Sequence, residues 1–296
     1  MTADIRTLLR TYVALLRAEQ WLKNAFVFIA LIFARRFTDG DAVVSVLVAA
    51  VVFCALASAM YITNDLHDVD EDRHHPQKRR RPIAAGLVAP RSARRVRAGL
   101  LVAALVGSAA LGASFSLVAA AYIVLNVAYS YRLKRIALVD VMVIAAGYVL
   151  RVVGGAVAIP VPVTPWLLVT SMLLALFLAL GKRRNELVVL GSEAATHRAA
   201  LAQYTPELLD QLIAVVTSST VIAYSLYAMD RAVAEQLGTP WLPLTIPLVL
   251  FGVFRYLYLI HRHQGGGDPT MALIRDRPLL ASVALWSLFV VALIAS

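Results

Sequence analysis

The amino-acid sequence predicts an all-α polytopic membrane protein, a bundle of nine transmembrane helices forming one membrane-embedded domain over residues 1–296. Three observations carry that expectation. Hydrophobic residues make up 60% of the chain and charged residues only 16%, against roughly 45–50% and 25% in soluble globular proteins. Apolar runs of the length a bilayer crossing needs, about 17–25 residues, recur nine times with turn residues between them. The charge is also sorted along the chain. Of the 28 Lys and Arg residues, all except Arg35, Arg36, Arg151, Arg231 and Arg255 fall at the N-terminus or in and beside the loops that follow every second apolar run. A soluble globular protein is excluded.

Taken in order, Met1–Arg17 carries Arg6, Arg10 and Arg17 through an amphipathic stretch without a signal-peptide core or an A-x-A site. It reads as an interfacial helix over about residues 1–18. The candidate spans follow at about 20–36, 41–63, 94–113, 115–131, 138–158, 165–181, 207–229, 241–260 and 279–295, set by apolar length and turn punctuation. The first is the weakest. Trp21, Trp166 and Trp241 lie near span ends, where amphipathic rings prefer the headgroup layer. The sorting of Lys and Arg places the N-terminus and the loops after spans 2, 4, 6 and 8 in the cytoplasm of a multi-pass plasma-membrane protein. The opposite loops, such as Gly112–Ser114 and Ile159–Pro165, are short and nearly uncharged.

Composition also narrows the chemistry. The chain has a net charge of +10 and one cysteine, Cys54, inside an apolar run. A lone thiol there reads as a small core hydrophobe, and disulfides and multi-cysteine metal sites are excluded. The basic residues are interleaved with membrane spans, so the partners they predict are membrane lipids and anionic substrates, not nucleic acid. No Ser-His-Asp, Cys-His or Walker-type pattern occurs. His67, His74, His75, His197, His261 and His263 form no ligand constellation and read as solvated loop residues.

The chemistry-bearing residues lie in the four cytosolic loops, about 64–92, 129–137, 181–205 and 262–277, which an antiparallel bundle gathers at one mouth. In the first, Asn64, Asp65, Asp68 and Asp72 open the run NDLHDVDED. On a helix at about 100° per residue the three aspartates fall within roughly 60° of each other, while Asp70 points almost opposite. Three carboxylates on one stripe repel unless a cation sits between them. Mg2+ suits such a stripe, because it takes oxygen ligands and is held by one or two carboxylates together with substrate phosphates; Mn2+ is the alternative ion. The other reading is a solvated acidic stripe neutralised by Arg79, Arg80 and Arg81.

The remaining candidates are cations and their neighbours. Lys182, Arg183 and Arg184 in GKRRNEL form an anion-binding cluster or a topological anchor, and Glu186 is either an i, i+4 partner of Lys182 or a substrate contact. Arg151 stands about eleven residues into span 5, roughly 16 Å deep. An Arg at that depth costs at least about 2.5–3.5 kcal/mol on insertion scales, so it faces a polar cavity or a partner. Its neighbours Gly154 and Gly155 remove bulk or allow close helix packing. Tyr129 and Lys134 bracket one helix end as interfacial anchors or as a hydroxyl and an ammonium for a diphosphate. Lys23 and Asn24 enter span 1 as snorkelling or substrate-binding groups. Asp268-Pro269 reads as a helix N-cap, and Asp276 and Arg277 remain open between a helix end and a substrate contact.

Asn64-Asp65-x-x-Asp68-x-x-x-Asp72 after span 2, with Tyr129-x-x-x-x-Lys134-Arg135 after span 4, resembles the UbiA superfamily of intramembrane prenyltransferases. The resemblance implies a UbiA-like nine-helix catalytic domain whose cytosolic mouth binds a diphosphate through Mg2+. Asp65, Asp68 and Asp72 would then be metal-holding and catalytic, with Lys134 catalytic. The family's second D-x-x-x-D motif is expected after span 6, where this chain has Lys182–Glu186 instead. That departure, with GKRRNEL, DPT, DRP and YVLRVVGGA, is similar to the decaprenyl-phosphate phosphoribosyltransferase branch. The branch implies transfer of 5-phosphoribose from 5-phosphoribosyl 1-diphosphate to a polyprenyl phosphate, in the synthesis of a cell-wall arabinan precursor. Substrate-binding roles then fall to Lys23, Asn24, Asn64, Arg80, Tyr129, Arg151, Lys182, Arg183, Arg184 and Glu186, and the partners allow for a homo-oligomer. Two other readings stand beside it: a UbiA prenyltransferase joining a prenyl diphosphate to an aromatic acceptor, and an anion or lipid-phosphate transporter.

Overall fold

A computed structural model of the chain describes residues 5–74, 76, 78–191, 199–262 and 269–295. Among them all regular structure is helical. His75, His197, His263 and Asp268, with the sequence reading of Asp268 as a cap, lie outside the described residues. The helices are α1 (Ile5–Leu16), α2 (Ile29–Phe33), α3 (Gly40–His67), α4 (Val69–His74), α5 (Pro90–Ala110), α6 (Ala113–Tyr131) and α7 (Val139–Ala158). They continue with α8 (Pro165–Leu190), α9 (Pro206–Met229), α10 (Arg231–Leu237), α11 (Ile246–Arg262), α12 (Pro269–Arg275) and α13 (Arg277–Ala295).

Helix starts follow local chemistry. Asp39 accepts from the backbone N–H of Asp41 and Ala42 to begin α3, and Thr164 and Thr205 cap α8 and α9 ahead of Pro165 and Pro206. Each side-chain oxygen satisfies a donor the first helical turn would leave unpaired, while proline at the first position loses nothing. Asp276, left open by the sequence, caps α13 through the Leu279 N–H at 2.9 Å. Its carboxylate also takes Arg255 of α11 at 2.8 and 3.0 Å, which pins the start of α13 to α11.

Seven described helices, α3, α6, α7, α8, α9, Leu242–Arg262 and α13, have the length and apolarity to cross a membrane. The other two of the nine expected spans take a different form. The segment expected at 20–36 divides into a 3-10 stretch, Ala18–Phe28, and the single-turn α2. Arg17 bends the chain into it in the left-handed region, at φ 51°. The expected span 94–113 is the helix α5, whose first two turns hold Arg91, Arg94, Arg95 and Arg97, cations that a lipid-crossing stretch rarely carries. Helix α1 buries Leu15 against Ile62, Ile83, Val88 and Ala93 while Leu8, Leu9 and Val13 stay about half exposed.

Two apolar cores organise the bundle. One joins α3, α5 and α6 around Phe53, Phe115 and Tyr122, with Val27 and Leu31 from the segment before α3; the phenyl ring of Phe53 meets Phe115 and Tyr122 edge-on at 5.8 and 5.4 Å. The other joins α7, α8, α9 and α11 around Phe177, Tyr256 and Ile213. Helix α7 packs against both α6 and α8, so it is the shared wall between the halves.

The 3-10 stretch wedges between α3 and α7, and the fit depends on a glycine. A Cβ on Gly155 would collide with the backbone carbonyl of Val27, and one on Gly154 with the Phe53 ring. Phe53 is a side chain that can shift; the Val27 carbonyl is backbone and cannot. Gly155→Ala should therefore cost about 1–3 kcal/mol by overpacking and lower the melting temperature in detergent. Gly99→Ala in α5, where a Cβ meets nothing within 4 Å, should leave the melting temperature equal or higher, because alanine favours helix.

Candidate functional site

The C-terminal ends of α3, α6 and α8 and the flank of α7 enclose a cavity of about 550 Å3, with Pro269 of α12 among its walls. Of the residues the sequence singles out, Lys23, Asn64, Asp68, Tyr129, Lys134, Arg151, Lys182, Arg183 and Glu186 line it. Among the described residues, nine cationic side chains stand there against three carboxylates in the lining, Asp68, Glu71 and Glu186. Low-dielectric walls strengthen such an imbalance. The cavity is built for anions.

The acidic motif divides. Helix α3 ends at His67 and α4 begins at Val69, with Asp68 between them as the helix C-cap. Asp68 turns to the cavity, where Lys134 Nζ reaches both carboxylate oxygens at 2.6 Å and Asn64 Nδ2 donates to it at 2.9 Å. Asp65 and Asp72, each 2% exposed, share the face that their seven-residue spacing predicts, but they stand behind the cavity lining, covered by Arg17 and Arg81. Arg81 lies between them, 3.1 Å from Asp65 and 2.6 Å from Asp72, and Arg17 pairs with Asp65 as well. The three-carboxylate stripe expected to meet one cation is thus a buried pair bridged by arginine and one carboxylate at the mouth. Among the described residues no three His, Cys, Asp or Glu side chains converge at metal-ligand spacing. The groups that do face the cavity, Asp68, Asn64 and Glu71, are all oxygen ligands. They fit a hard divalent cation that completes its shell with substrate phosphates and water.

Arg151, 6% exposed, is held by neutral acceptors alone. Its Nε donates to Asn24 Oδ1 at 2.7 Å, Nη1 to the Gly147 carbonyl at 2.8 Å and Nη2 to the Tyr122 hydroxyl at 2.8 Å. The guanidinium also lies over the rings of Tyr122 and Tyr148, 5.0 and 5.5 Å from their centroids. Every guanidinium nitrogen is satisfied, yet no described carboxylate neutralises the charge, and the side chain lines the cavity. Asn24 acts one step back: it orients Arg151 and donates to Cys54 Sγ at 3.1 Å. This separates the polar pair the sequence placed in span 1, since Lys23 lines the cavity and Asn24 does not.

Arg183 is anchored differently. At 1% exposure it gives Nε to Asp140 at 2.6 Å, Nη1 to Glu186 at 2.6 Å and Nη2 to the Tyr129 hydroxyl at 3.3 Å. Glu186 therefore pairs with Arg183, three residues away. The Tyr204 hydroxyl donates to the other oxygen of Asp140 at 2.9 Å and accepts the Leu138 N–H at 2.6 Å. Burial pushes the Tyr204 phenol up to about 12, so it stays protonated and keeps donating. The network locks α7, α8, the end of α6 and the loop before α9 together.

Two expected binding residues are placed elsewhere. Arg184 turns away from the cavity to Asp210 and the Ile260 carbonyl, because successive helical residues point about 100° apart and Arg183 takes the inward position. Arg80 is exposed and outside the cavity; in the run Arg79–Arg81 the inward residue is Arg81. The sequence reading also missed Arg17, Tyr61, Tyr122, Asn126 and Tyr148 of the lining and Asp140 behind it. Asp140 alone had a signal, as a carboxylate opening an otherwise apolar span.

The UbiA prenyltransferase family model matches residues 24–274. Among curated relatives, the decaprenyl-phosphate phosphoribosyltransferase of Mycolicibacterium smegmatis is 35% identical over 282 residues, covering 91% of this chain and 88% of its own. The enzyme of the same name from Corynebacterium glutamicum is 31% identical over 276 residues, covering 92% and 82%. Among solved structures, a UbiA homolog from Archaeoglobus fulgidus bound to GPP and Mg2+ superposes with a TM-score of 0.74 at 20% identity, covering 97% of this chain and 100% of that one. The apo structure of a UbiA homolog from Aeropyrum pernix gives 0.67 at 16% identity, over 90% and 96%. The cavity at the helix ends, the family model and these relatives converge, and the chain belongs to the UbiA prenyltransferase family.

Proposed function

We propose that this membrane transferase moves 5-phosphoribose from 5-phosphoribosyl 1-diphosphate to a polyprenyl phosphate and releases diphosphate, in the pathway to a cell-wall arabinan precursor. The carrying observation is the cation excess of the cavity, nine lining cations against six carboxylates, three in the lining and three, Asp65, Asp72 and Asp140, paired behind it. Both substrates of this reaction are phosphates, the donor bearing phosphate at both ends, whereas an aromatic acceptor would leave much of that charge unused. The names of the relatives support the same reading. The sorting of Lys and Arg supports a mouth on the cytoplasmic side of the plasma membrane.

The chain's residues divide the work. Asp68, with Asn64 and Glu71, would hold a Mg2+ ion or its Mn2+ substitute, with Asp65 and Asp72 positioning that edge through Arg81. Held by these oxygens, such an ion would supply positive charge for the departing diphosphate. Lys134, now 2.6 Å from Asp68, stands at the same edge and stabilises negative charge as the C1–O bond of the donor breaks. Lys182 faces the 5-phosphate end, with Arg183 anchoring the wall behind it. Arg151 attracts the acceptor phosphate, whose oxygen forms the new bond to C1. No general base is required, because a phosphate monoester is already ionised near neutral pH. The lipid tail leaves the cavity between helices.

The test is transfer of labelled phosphoribose into a lipid phase by protein in detergent, with Mg2+ and polyprenyl phosphate. Asp68→Ala should lower turnover by about a hundredfold or more, and EDTA should abolish it in the unmodified protein. Transfer from a prenyl diphosphate to an aromatic acceptor, with none from the phosphoribosyl donor, would overturn the reading. Arg151→Gln should raise KM for polyprenyl phosphate about tenfold or more with a smaller change in KM for the donor. Equal changes for both substrates would remove Arg151 from the acceptor site.

A further inference from the structure

The wall made by α3 and α6 has a second recess on its other side. Asn64 and Asp68 face the reaction cavity; Thr63 and His67, one residue earlier in each turn, line a separate hollow of about 380 Å3 together with Arg94 and Arg97 of α5 and Tyr131 of α6. Among the described residues no carboxylate lines it. Arg97 Nε is buried with no acceptor among the described residues, which leaves a charged donor bearing the cost of an unmade bond. Arg94 and Arg97, three residues apart on one face of α5, repel each other with no acid between them. The rings of His67 and Tyr131 meet at 4.7 Å, tilted by 55°, at the hollow's edge. None of these residues reaches the reaction cavity.

The surroundings indicate what an anion there would carry. Leu66, Val69 and Ile83 form an apolar wall of the hollow. Leu101 and Leu105 continue along α5 at i+4 and i+8 from Arg97, with Leu105 about half exposed. The hollow sits at the ends of α3 and α6, both apolar enough to span a membrane. A phosphate at the arginines would therefore have an apolar stripe running from it into the membrane-spanning part of the bundle. We propose that this recess binds the phosphate of an anionic membrane phospholipid. Arg94 and Arg97 donate to the phosphate oxygens, and the acyl chains lie along the stripe on α5. Guanidinium forks suit phosphate geometry, and a hollow lined by two arginines and no described acid favours a headgroup with net negative charge over a zwitterion.

Native mass spectrometry of the full chain in detergent, titrated with phosphatidylglycerol, tests this. R94Q/R97Q should bind the lipid about tenfold more weakly than the unmodified protein. R91Q/R95Q, which removes the same charge from exposed positions of the same helix outside the hollow, should bind it unchanged. Phosphatidylcholine should bind more weakly than phosphatidylglycerol to the unmodified protein, and 10 mM inorganic phosphate should displace neither. Equal losses in both double variants would reduce the site to diffuse charge attraction, and displacement by inorganic phosphate would make the ligand a soluble one. Either result overturns the proposal, as does full retention by R94Q/R97Q. Should R94Q/R97Q fail to fold, R94K/R97K carries the same test, since it keeps the charge and loses the fork; unchanged lipid binding there counts against the proposal.

Discussion

Arg183 is almost fully enclosed between α6, α7 and α8, and a guanidinium in that position costs several kcal/mol unless an opposite charge and good acceptors surround it. Asp140, completely buried, supplies the charge, and Glu186 and Tyr129 supply the remaining acceptors. The requirement is geometric as well as energetic. A turn of α8 relative to α7 would separate the pair and leave two buried charges, so this contact sets the register in which α6, α7 and α8 meet, and the cavity wall is made by the same three helices. Tyr204 extends the constraint to the segment before α9 by holding Asp140 from the other side.

The second buried guanidinium follows a different logic. Arg151 ties the 3-10 stretch, α6 and α7 together through Asn24, Tyr122 and the Gly147 carbonyl. These acceptors satisfy its donors without cancelling its charge, and the two tyrosine faces add a modest attraction. One buried arginine is neutralised and holds helices; the other keeps its field and projects it into the cavity. The close seat of the 3-10 stretch on Gly155 is what brings Asn24 within reach of Arg151, so a packing detail without charge underlies an electrostatic one.

Charge balance at the mouth has the same double character. Every carboxylate of the acidic motif that the cavity depends on is matched by a cation: Asp68 by Lys134, Asp65 and Asp72 by Arg81. Buried carboxylates without a partner would carry an uncompensated desolvation cost; the pairs offset that cost and hold the carboxylates in place. The surplus of cations beyond these pairs is what an arriving phosphate meets. The departure of Lys182–Glu186 from the usual acidic second motif thereby acquires a structural meaning. It exchanges a second anionic edge for a buried anchor, Arg183, and a cavity-facing ammonium, Lys182.

The sequence by itself determined the class of the molecule and much of its site. Apolar segment length, helix caps at Asp39, Thr164 and Thr205, and the sorting of Lys and Arg are local or additive properties, legible without knowing which segments meet. The motif Asn64–Asp72 and the depth of Arg151 were legible for the same reason. Only the tertiary structure decided which arginine of Arg79–Arg81 turns inward, that Arg184 leaves the cavity for Asp210, and that Asp140, Tyr122 and Tyr204 stand behind the lining. It also decided that the segment before α3 forms a 3-10 wedge and that α4 breaks from α3 at Asp68, so that a predicted stripe of three carboxylates becomes two functions. Those outcomes depend on partners 9 to 127 residues away in the chain, and periodicity, which relates only near neighbours within one helix, carries no information about them.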